Sequence, residues 1–286
     1  MTTAVAESQH ADASRWPPRT GTATLRRAAT GPGEPLRTML LPGLAGTPVA
    51  WAPFVDHAPA ALEIWDAHLP WAAAPQPGWT RYRDLGAWLD AAIHSATARA
   101  GGPPRLLVAH SFAANVLLDV LCRSGLDTYR PAGVVLVSPF YRASAEEFDW
   151  ETIEYYLTGF HLILEEGLTV GAGARIAPAT RAAMARQVRD RVGPYGWMRF
   201  FDLYLASPYL DASGLDLPVL VVTGERDIAA RPEDAKTLAT ALPRARYEPF
   251  EECGHFAMAE EPARFADLLA DFVTGLPDDP ITEPRS

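Results

Sequence analysis

The sequence has few cysteines, no excess of positive charge and no long apolar segment. Its 286 residues include only two cysteines, Cys122 and Cys253, too few for a disulfide framework or a cysteine-based metal site. The formal net charge of −10 argues against nucleic acid as a partner. No run of 18 apolar residues occurs, so we expect no membrane span. The first residues lack a basic and then apolar signal segment, and we therefore expect a cytoplasmic protein with reduced cysteines.

Short apolar runs alternate with longer segments of helical periodicity. The apolar runs predict six strands, at residues 36–41, 62–65, 106–109, 134–137, 219–222 and 247–250. The periodic segments between them predict helices at residues 82–100, 112–123, 232–241 and 262–273. Nearly continuous apolar strands are typical of strands buried on both faces. The pattern therefore predicts an α/β fold with a doubly wound, mostly parallel sheet.

One interval of the chain, residues 140–215, carries no strand signal. It contains three predicted helices, at residues 150–166, 178–191 and 195–206. Because a structureless loop of this length is rare in a compact domain, we expect a helical cap over the end of the sheet. The core would then comprise residues 21–139 and 216–276. A flexible N-terminal arm (1–20) and a flexible tail (277–286) would flank it.

A serine stands where a buried strand gives way to a helix. Ser111 follows the strand at 106–109, with Ala109 two residues before it and Ala113 two residues after it. Small residues at these positions permit the sharp strand-to-helix turn that exposes a nucleophilic serine hydroxyl. Taken alone, Ser111 is also compatible with a plain helix N-cap.

An aspartate and a histidine follow two later strands. Asp227 comes after the strand at 219–222, and His255 after the strand at 247–250. Since parallel strands end at one edge of a sheet, both should meet Ser111 there. A serine hydroxyl needs a base to take its proton, and the imidazole needs a carboxylate to fix its tautomer. We therefore predict a catalytic triad of these three residues.

The first predicted strand runs into a turn of small residues, within residues 39–47. A tetrahedral intermediate requires donors aimed at its negative charge. We predict that the backbone N–H groups of Leu44 and Phe112 form this oxyanion hole. A tight glycine turn without a chemical role is the alternative.

Together these residues resemble the α/β-hydrolase superfamily in its cap-bearing branch, over residues 36 to about 272. Ser111 falls in the elbow, Asp227 in a Gly-Glu-Arg-Asp turn and His255 in a Gly-His-Phe segment. Pro-Gly replaces the His-Gly of many relatives before the oxyanion turn, and the elbow has alanines where glycines are usual. The resemblance implies a serine hydrolase that cleaves an ester or thioester of a small, largely apolar molecule through an acyl-enzyme.

The fold leaves other functions open. A same-fold acyltransferase, a lactonase or cyclase, or a C–C hydrolase of natural-product metabolism would use similar residues. A non-catalytic ligand receptor that keeps the triad is a further alternative. The remaining histidines show no metal-ligand spacing and no glycine-rich phosphate loop is present, so we expect no metal and no cofactor.

The predicted cap is rich in aromatic residues and uneven in charge. Aromatic content suggests an apolar pocket for a small-molecule substrate. We expect substrate contacts from Tyr141, Trp150, Tyr155, Phe160, Trp197 and Phe201. Residues 146–166 carry seven acids, whereas residues 175–199 carry six arginines and one acid. The two halves either pair with each other or present a basic face to an anionic substrate or an acyl-carrier protein.

Overall fold

The computed structural model describes residues 23–72, 78–124, 130–172 and 175–277. The predicted arm at 1–20 lies outside the described residues, as does the predicted tail apart from Pro277. Within the described residues, seven strands form one sheet. They are β1 (Ala23–Arg27), β2 (Leu36–Leu41), β3 (Leu62–Ala67), β4 (Leu106–His110), β5 (Gly133–Val137), β6 (Val219–Gly224) and β7 (Ala245–Phe250).

The strand order across the sheet is β1-β3-β2-β4-β5-β6-β7. All neighbouring pairs are parallel except β1 and β3, which are antiparallel. The six predicted strands are therefore confirmed, and β1 is an addition. Its sequence, Ala-Thr-Leu-Arg-Arg, is too polar for a buried strand, but it lies at the edge of the sheet, where polar residues are tolerated.

Helices cover both faces of this sheet. Those of the described residues are α1 (Ala52–His57), α2 (Gly86–Ala100), α3 (Phe112–Ser124), α4 (Trp150–Ala172), α5 (Pro178–Ala206), α6 (Pro232–Ala241), α7 (Ala257–Glu260) and α8 (Pro262–Thr274). Alternate residues of β4 face opposite sides. Leu107 belongs to the apolar cluster that includes α2 and α3, and Val108 to the cluster that includes α1 and α8. Burial on both faces explains the continuous apolar strand sequences.

The interval between β5 and β6 is a helical insertion, as the missing strand signal predicts. Helices α4 and α5 pack against each other there. Two of the predicted helices meet end to end in α5, where Gly193 has a positive φ of 67° and Pro194 follows it. This break lies where the sequence predicts a gap between helices. No helix of the described residues combines the length and apolar character needed to cross a bilayer.

Candidate active site

Ser111 lies at a strained turn between β4 and α3. Its φ is +54°, in the left-handed region that non-glycine residues rarely adopt, and its side chain is buried. Its backbone N–H donates to the Val137 carbonyl at 2.8 Å, which fixes the turn against β5. Ala109 and Ala113 are both fully buried, so the elbow geometry forms here with alanines at the positions where glycines are usual.

The turn after β2 packs directly against this elbow. A Cβ at Gly43 would lie 3.0 Å from the Cβ of Ser111 and 3.1 Å from Nδ1 of His110. Any larger residue at this position would therefore push the turn or the elbow out of place by a few tenths of an ångström. Leu44, the next residue of this turn, lines the same cavity as Ser111.

Asp227 and His255 form a buried pair. The His255 Nδ1 atom lies 2.9 Å and 3.1 Å from the two carboxylate oxygens of Asp227. The carboxylate also accepts hydrogen bonds from the N–H groups of Ala229 and Ala230, at 2.7 Å and 2.9 Å. These bonds fix the carboxylate, and an Nδ1–H donated to it leaves Nε2 of the imidazole free to accept a proton.

The loops that carry this pair follow β6 and β7 and are joined by a backbone hydrogen bond from Arg226 N–H to the Cys253 carbonyl, at 2.9 Å. Ser111 follows β4, two strands away from β6 in the sheet. Ser111 and His255 line one cavity. The structure thus brings the three residues of the predicted triad to the same edge of the sheet.

Two buried histidines lie next to each other in this site. Burial lowers the pKa of His255, but the carboxylates of Asp227, Glu166 and Glu260 together raise it, and the net pKa lies above the ordinary value. Burial and the nearby His255 hold the pKa of His110 well below its usual range, so His110 is neutral. Its Nε2 lies 2.8 Å from the His255 carbonyl oxygen, and the rings are 4.7 Å apart. His110 therefore supports the His255 loop.

Two backbone N–H groups beside Ser111 remain available. Leu44 and Phe112 both line the cavity. Within the part of the chain that the structure describes, neither N–H donates to a backbone carbonyl, whereas the next one, of Ala45, donates to the Trp71 carbonyl at 2.8 Å. Two donors without backbone acceptors are what an oxyanion hole requires.

Cys253 stands two residues before His255 but is not a second nucleophile. Burial raises the pKa of its thiol to about 12, and nearby Glu261 and Glu260 add to this effect. The reactive thiolate form is therefore scarce at neutral pH.

The cavity over Ser111 has a volume of about 200 Å³. Its walls come from the turn after β2, the elbow, the His255 loop and the helical insertion. The described residues that line it include no Asp, Glu, Lys or Arg, and the titratable side chains among them are His110 and His255. Because an unpaired charge is costly in such surroundings, the cavity suits a small uncharged group.

Phe160 is the one predicted substrate contact that lines this cavity. Trp150 is 83% exposed, and the Tyr155 hydroxyl donates to the Ile228 carbonyl. Trp197 stacks on Phe201 at a centroid distance of 4.9 Å. Tyr141 is buried and is not among the residues that line the cavity. Aromatic content alone did not show which side of the insertion faces Ser111, and these five side chains pack the insertion or face solvent.

The cap residues that do line the cavity are a mixture of aliphatic and aromatic residues. They are Phe140 after β5, then Phe160, Ile163, Leu164, Gly167 and Leu168 on α4, and Val188 and Phe200 on α5. The α4 positions follow the i, i+3, i+4, i+7, i+8 spacing of one helix face. That periodicity was the signal in the sequence that could have identified them.

The charged halves of the insertion meet at one described ion pair. Arg181 on α5 lies 3.7 Å from Glu165 on α4. Arg189 contacts its neighbour Asp190 instead, at 2.7 Å, and Arg186 is exposed. Pairing between the halves is therefore limited, and a basic face for an acyl-carrier protein stays a prediction.

The sheet is mostly parallel and carries a helical insertion, and a serine, an aspartate and a histidine follow the carboxyl ends of its strands. This combination of fold and residues defines the α/β-hydrolase class of enzymes. The chain belongs to the Alpha/beta hydrolase family, whose sequence model matches residues 39–268, more than half of its length.

Known proteins resemble the chain more closely in fold than in sequence. Over 59 residues it is 41% identical to a proline iminopeptidase of Lactobacillus delbrueckii subsp. lactis, a match covering 21% of this chain and 20% of that protein. An esterase from Rhodococcus sp. ECU1013 superposes with a TM-score of 0.58 at 19% identity, covering 89% of this chain and 95% of the esterase. The enol-lactonase from Burkholderia xenovorans LB400 superposes with a TM-score of 0.58 at 18% identity, covering 88% of this chain and 96% of the lactonase. At these identities the two structures establish the fold alone.

Proposed function

We propose that the protein hydrolyses an ester or thioester with a small, uncharged acyl group through an acyl-enzyme on Ser111. The observation that carries the proposal is the buried Asp227–His255 pair, with His255 and Ser111 lining the same apolar cavity. A structural role for these groups would not require a strained serine, a buried ion pair and a cavity in one place.

The reaction would proceed in two steps. The Ser111 hydroxyl attacks the ester carbonyl while His255 takes its proton, and the oxyanion receives hydrogen bonds from the Leu44 and Phe112 N–H groups. The imidazolium then protonates the leaving alcohol or thiol, which departs and leaves the acyl group on Ser111. A water molecule then attacks this ester while His255 takes one of its protons. The imidazolium returns that proton to the Ser111 oxygen as the acyl–oxygen bond breaks, so that the carboxylic acid is released and free Ser111 is restored.

The cavity supports an uncharged acyl group as substrate. Besides the groups assigned to the reaction, its polar lining side chains are Thr47 and the neutral His110, and the described lining residues include no Lys or Arg for an acyl chain that carries a second carboxylate. The similar structures are described as an esterase and an enol-lactonase, both of which act at an acyl–oxygen bond. Thioesters share the same carbonyl chemistry, and a lactone is a cyclic ester.

Turnover of p-nitrophenyl butyrate by serine variants tests the proposal. Ser111→Ala removes the nucleophile, and we expect the rate to fall at least about 10³-fold with an unchanged circular dichroism spectrum. Ser213→Ala changes an exposed serine and should retain full activity. Full activity in the Ser111 variant would rule the proposal out.

Product analysis separates hydrolysis from acyl transfer. If water is the acceptor, the carboxylic acid should remain the main product when alcohols or amines are added at millimolar concentration. A dominant new ester or amide would assign the enzyme to acyl transfer and leave the acyl-enzyme intact.

A further inference from the structure

A carboxylate of the helical insertion reaches the backbone of His255. Glu166, on α4, accepts a hydrogen bond from the His255 N–H at 3.0 Å. Glu260, on α7, accepts bonds from the N–H groups on either side, those of Gly254 and Phe256, both at 3.0 Å. Two carboxylates thus hold three consecutive N–H groups of this loop.

Two glycines make room for this contact. A Cβ at Gly254 would lie 1.8 Å from Oε1 of Glu166, so the carboxylate occupies the space that any other side chain would fill. A Cβ at Gly167, the next residue of α4, would lie 2.8 Å from the Phe256 ring. A larger residue at either position would therefore displace the Glu166 carboxylate or the Phe256 ring.

The position of Glu166 is unfavourable for stability alone. Its other oxygen, Oε2, is buried and has no hydrogen-bond partner among the described residues. Burial raises the pKa of this carboxyl, although the bond from the His255 N–H opposes that effect. An unmade hydrogen bond on a buried oxygen costs free energy, so this arrangement is better explained by a role at His255.

We propose that Glu166 is a positioning residue for the reaction, which holds the His255 backbone against α4 and favours the imidazolium that forms when Ser111 loses its proton. This role rests on the proposed function, because it concerns the proton transfer between Ser111 and His255. Glu166 acts through His255 and does not touch the reacting atoms. Three carboxylates face His255, Asp227 after β6, Glu166 on α4 and Glu260 on α7, together with the neutral His110 of β4.

Glu166→Gln tests the charge. The variant keeps an oxygen that can accept the His255 N–H but loses the negative charge that raises the pKa of His255. We expect the acid limb of the kcat/KM profile to move to lower pH, with KM nearly unchanged. Glu165→Gln is the matched control, since its carboxylate lies next on the helix and faces Arg181. It should leave the profile in place.

Glu166→Ala and Gly254→Ala test the position. The first removes the acceptor, and the second displaces it by filling its space. We expect each to lower kcat about 10- to 100-fold with little change in KM, since small displacements of a reacting group have effects of this size. The double variant should be no worse than either single one, because both break the same contact.

Histidine titration by nuclear magnetic resonance gives a readout that does not need turnover. The His255 resonance is assigned by its loss in His255→Ala. The pKa measured from this resonance should fall in Glu166→Gln and not in Glu165→Gln. If the wild-type protein hydrolysed no ester, the proposed function would fail, yet this titration would still decide the role of Glu166. An unchanged His255 titration in Glu166→Gln, or wild-type kcat in Glu166→Ala, would overturn the inference.

Discussion

At the scale of single residues, His255 sets the pH dependence of the proposed reaction. Only its neutral imidazole can take the Ser111 proton. Burial lowers its pKa and the Asp227 carboxylate raises it, with a net value above the ordinary 6.5. A base with a raised pKa becomes protonated at a higher pH as the solution is acidified. We therefore expect kcat/KM to fall on the acid side with a midpoint above pH 6.5, measured with an uncharged ester.

Asp227→Asn should change both the rate and this midpoint. The amide keeps an oxygen for the Ala229 and Ala230 N–H groups but neither fixes the His255 tautomer nor stabilises the imidazolium. We expect kcat to fall about 10⁴-fold and the acid limb to move to lower pH. Asp216 is an exposed aspartate 3.8 Å from Arg244, and Asp216→Asn is the control. An Asp227 variant with the wild-type profile would show that the pair is structural.

At the scale of elements, we expect one face of α4 to set the size of the acyl group that the proposed reaction accepts. Leu164→Ala enlarges the cavity near Ser111. We expect the ratio of kcat/KM for octanoyl over butyryl p-nitrophenyl ester to rise about tenfold, the scale of discrimination that small changes in apolar contact produce. Trp150→Ala, on the same helix but 83% exposed, should leave the ratio unchanged. If the octanoyl-to-butyryl ratio of Leu164→Ala stayed at the wild-type value, like that of Trp150→Ala, the acyl site would lie elsewhere.

The elements themselves were largely predictable from sequence. Six strands and the helical insertion follow from apolar runs and their spacing, because burial on both faces demands such residues. The polar edge strand β1 was not predictable, since nothing in a run such as Thr-Leu-Arg-Arg demands pairing.

The candidate site was predictable in part. Ser111, Asp227 and His255 follow strands, and strand ends converge by topology. Which face of α4 points inward depends on how the insertion docks, and this contact is not local in sequence. Glu166 stands among seven acids between residues 146 and 166, and its contact with His255 depends on Gly254, almost ninety residues away.

At the scale of the whole molecule, a buried polar cluster joins the insertion to the core. The Tyr204 hydroxyl donates to Oδ2 of Asp234 at 2.6 Å, and Arg142 Nε lies 3.4 Å from Oδ1. These residues lie on α5, on α6 and after β5. Burial raises the pKa of Asp234 to about 6, although Tyr204 and Arg142 oppose that effect.

Asp234→Ala should therefore destabilise the fold. It leaves the buried Tyr204 hydroxyl without its acceptor and removes the carboxylate that pairs with Arg142, which we expect to lower the free energy of unfolding by about 1–3 kcal/mol in urea denaturation. Asp216→Ala removes an exposed pair and should change it by less than about 0.5 kcal/mol. Equal stability of the two variants would mean that the cluster does not hold the insertion to the core.

The site of covalent modification tests the central assignment most directly. A fluorophosphonate reacts with a serine only when a neighbouring base activates it. Peptide mass spectrometry of the treated protein should place the adduct on Ser111 and on no other serine, with no adduct in folded Ser111→Ala and slower labelling in His255→Ala. An adduct on a different residue, or ester hydrolysis by a protein whose Ser111 stays unmodified, would contradict the account.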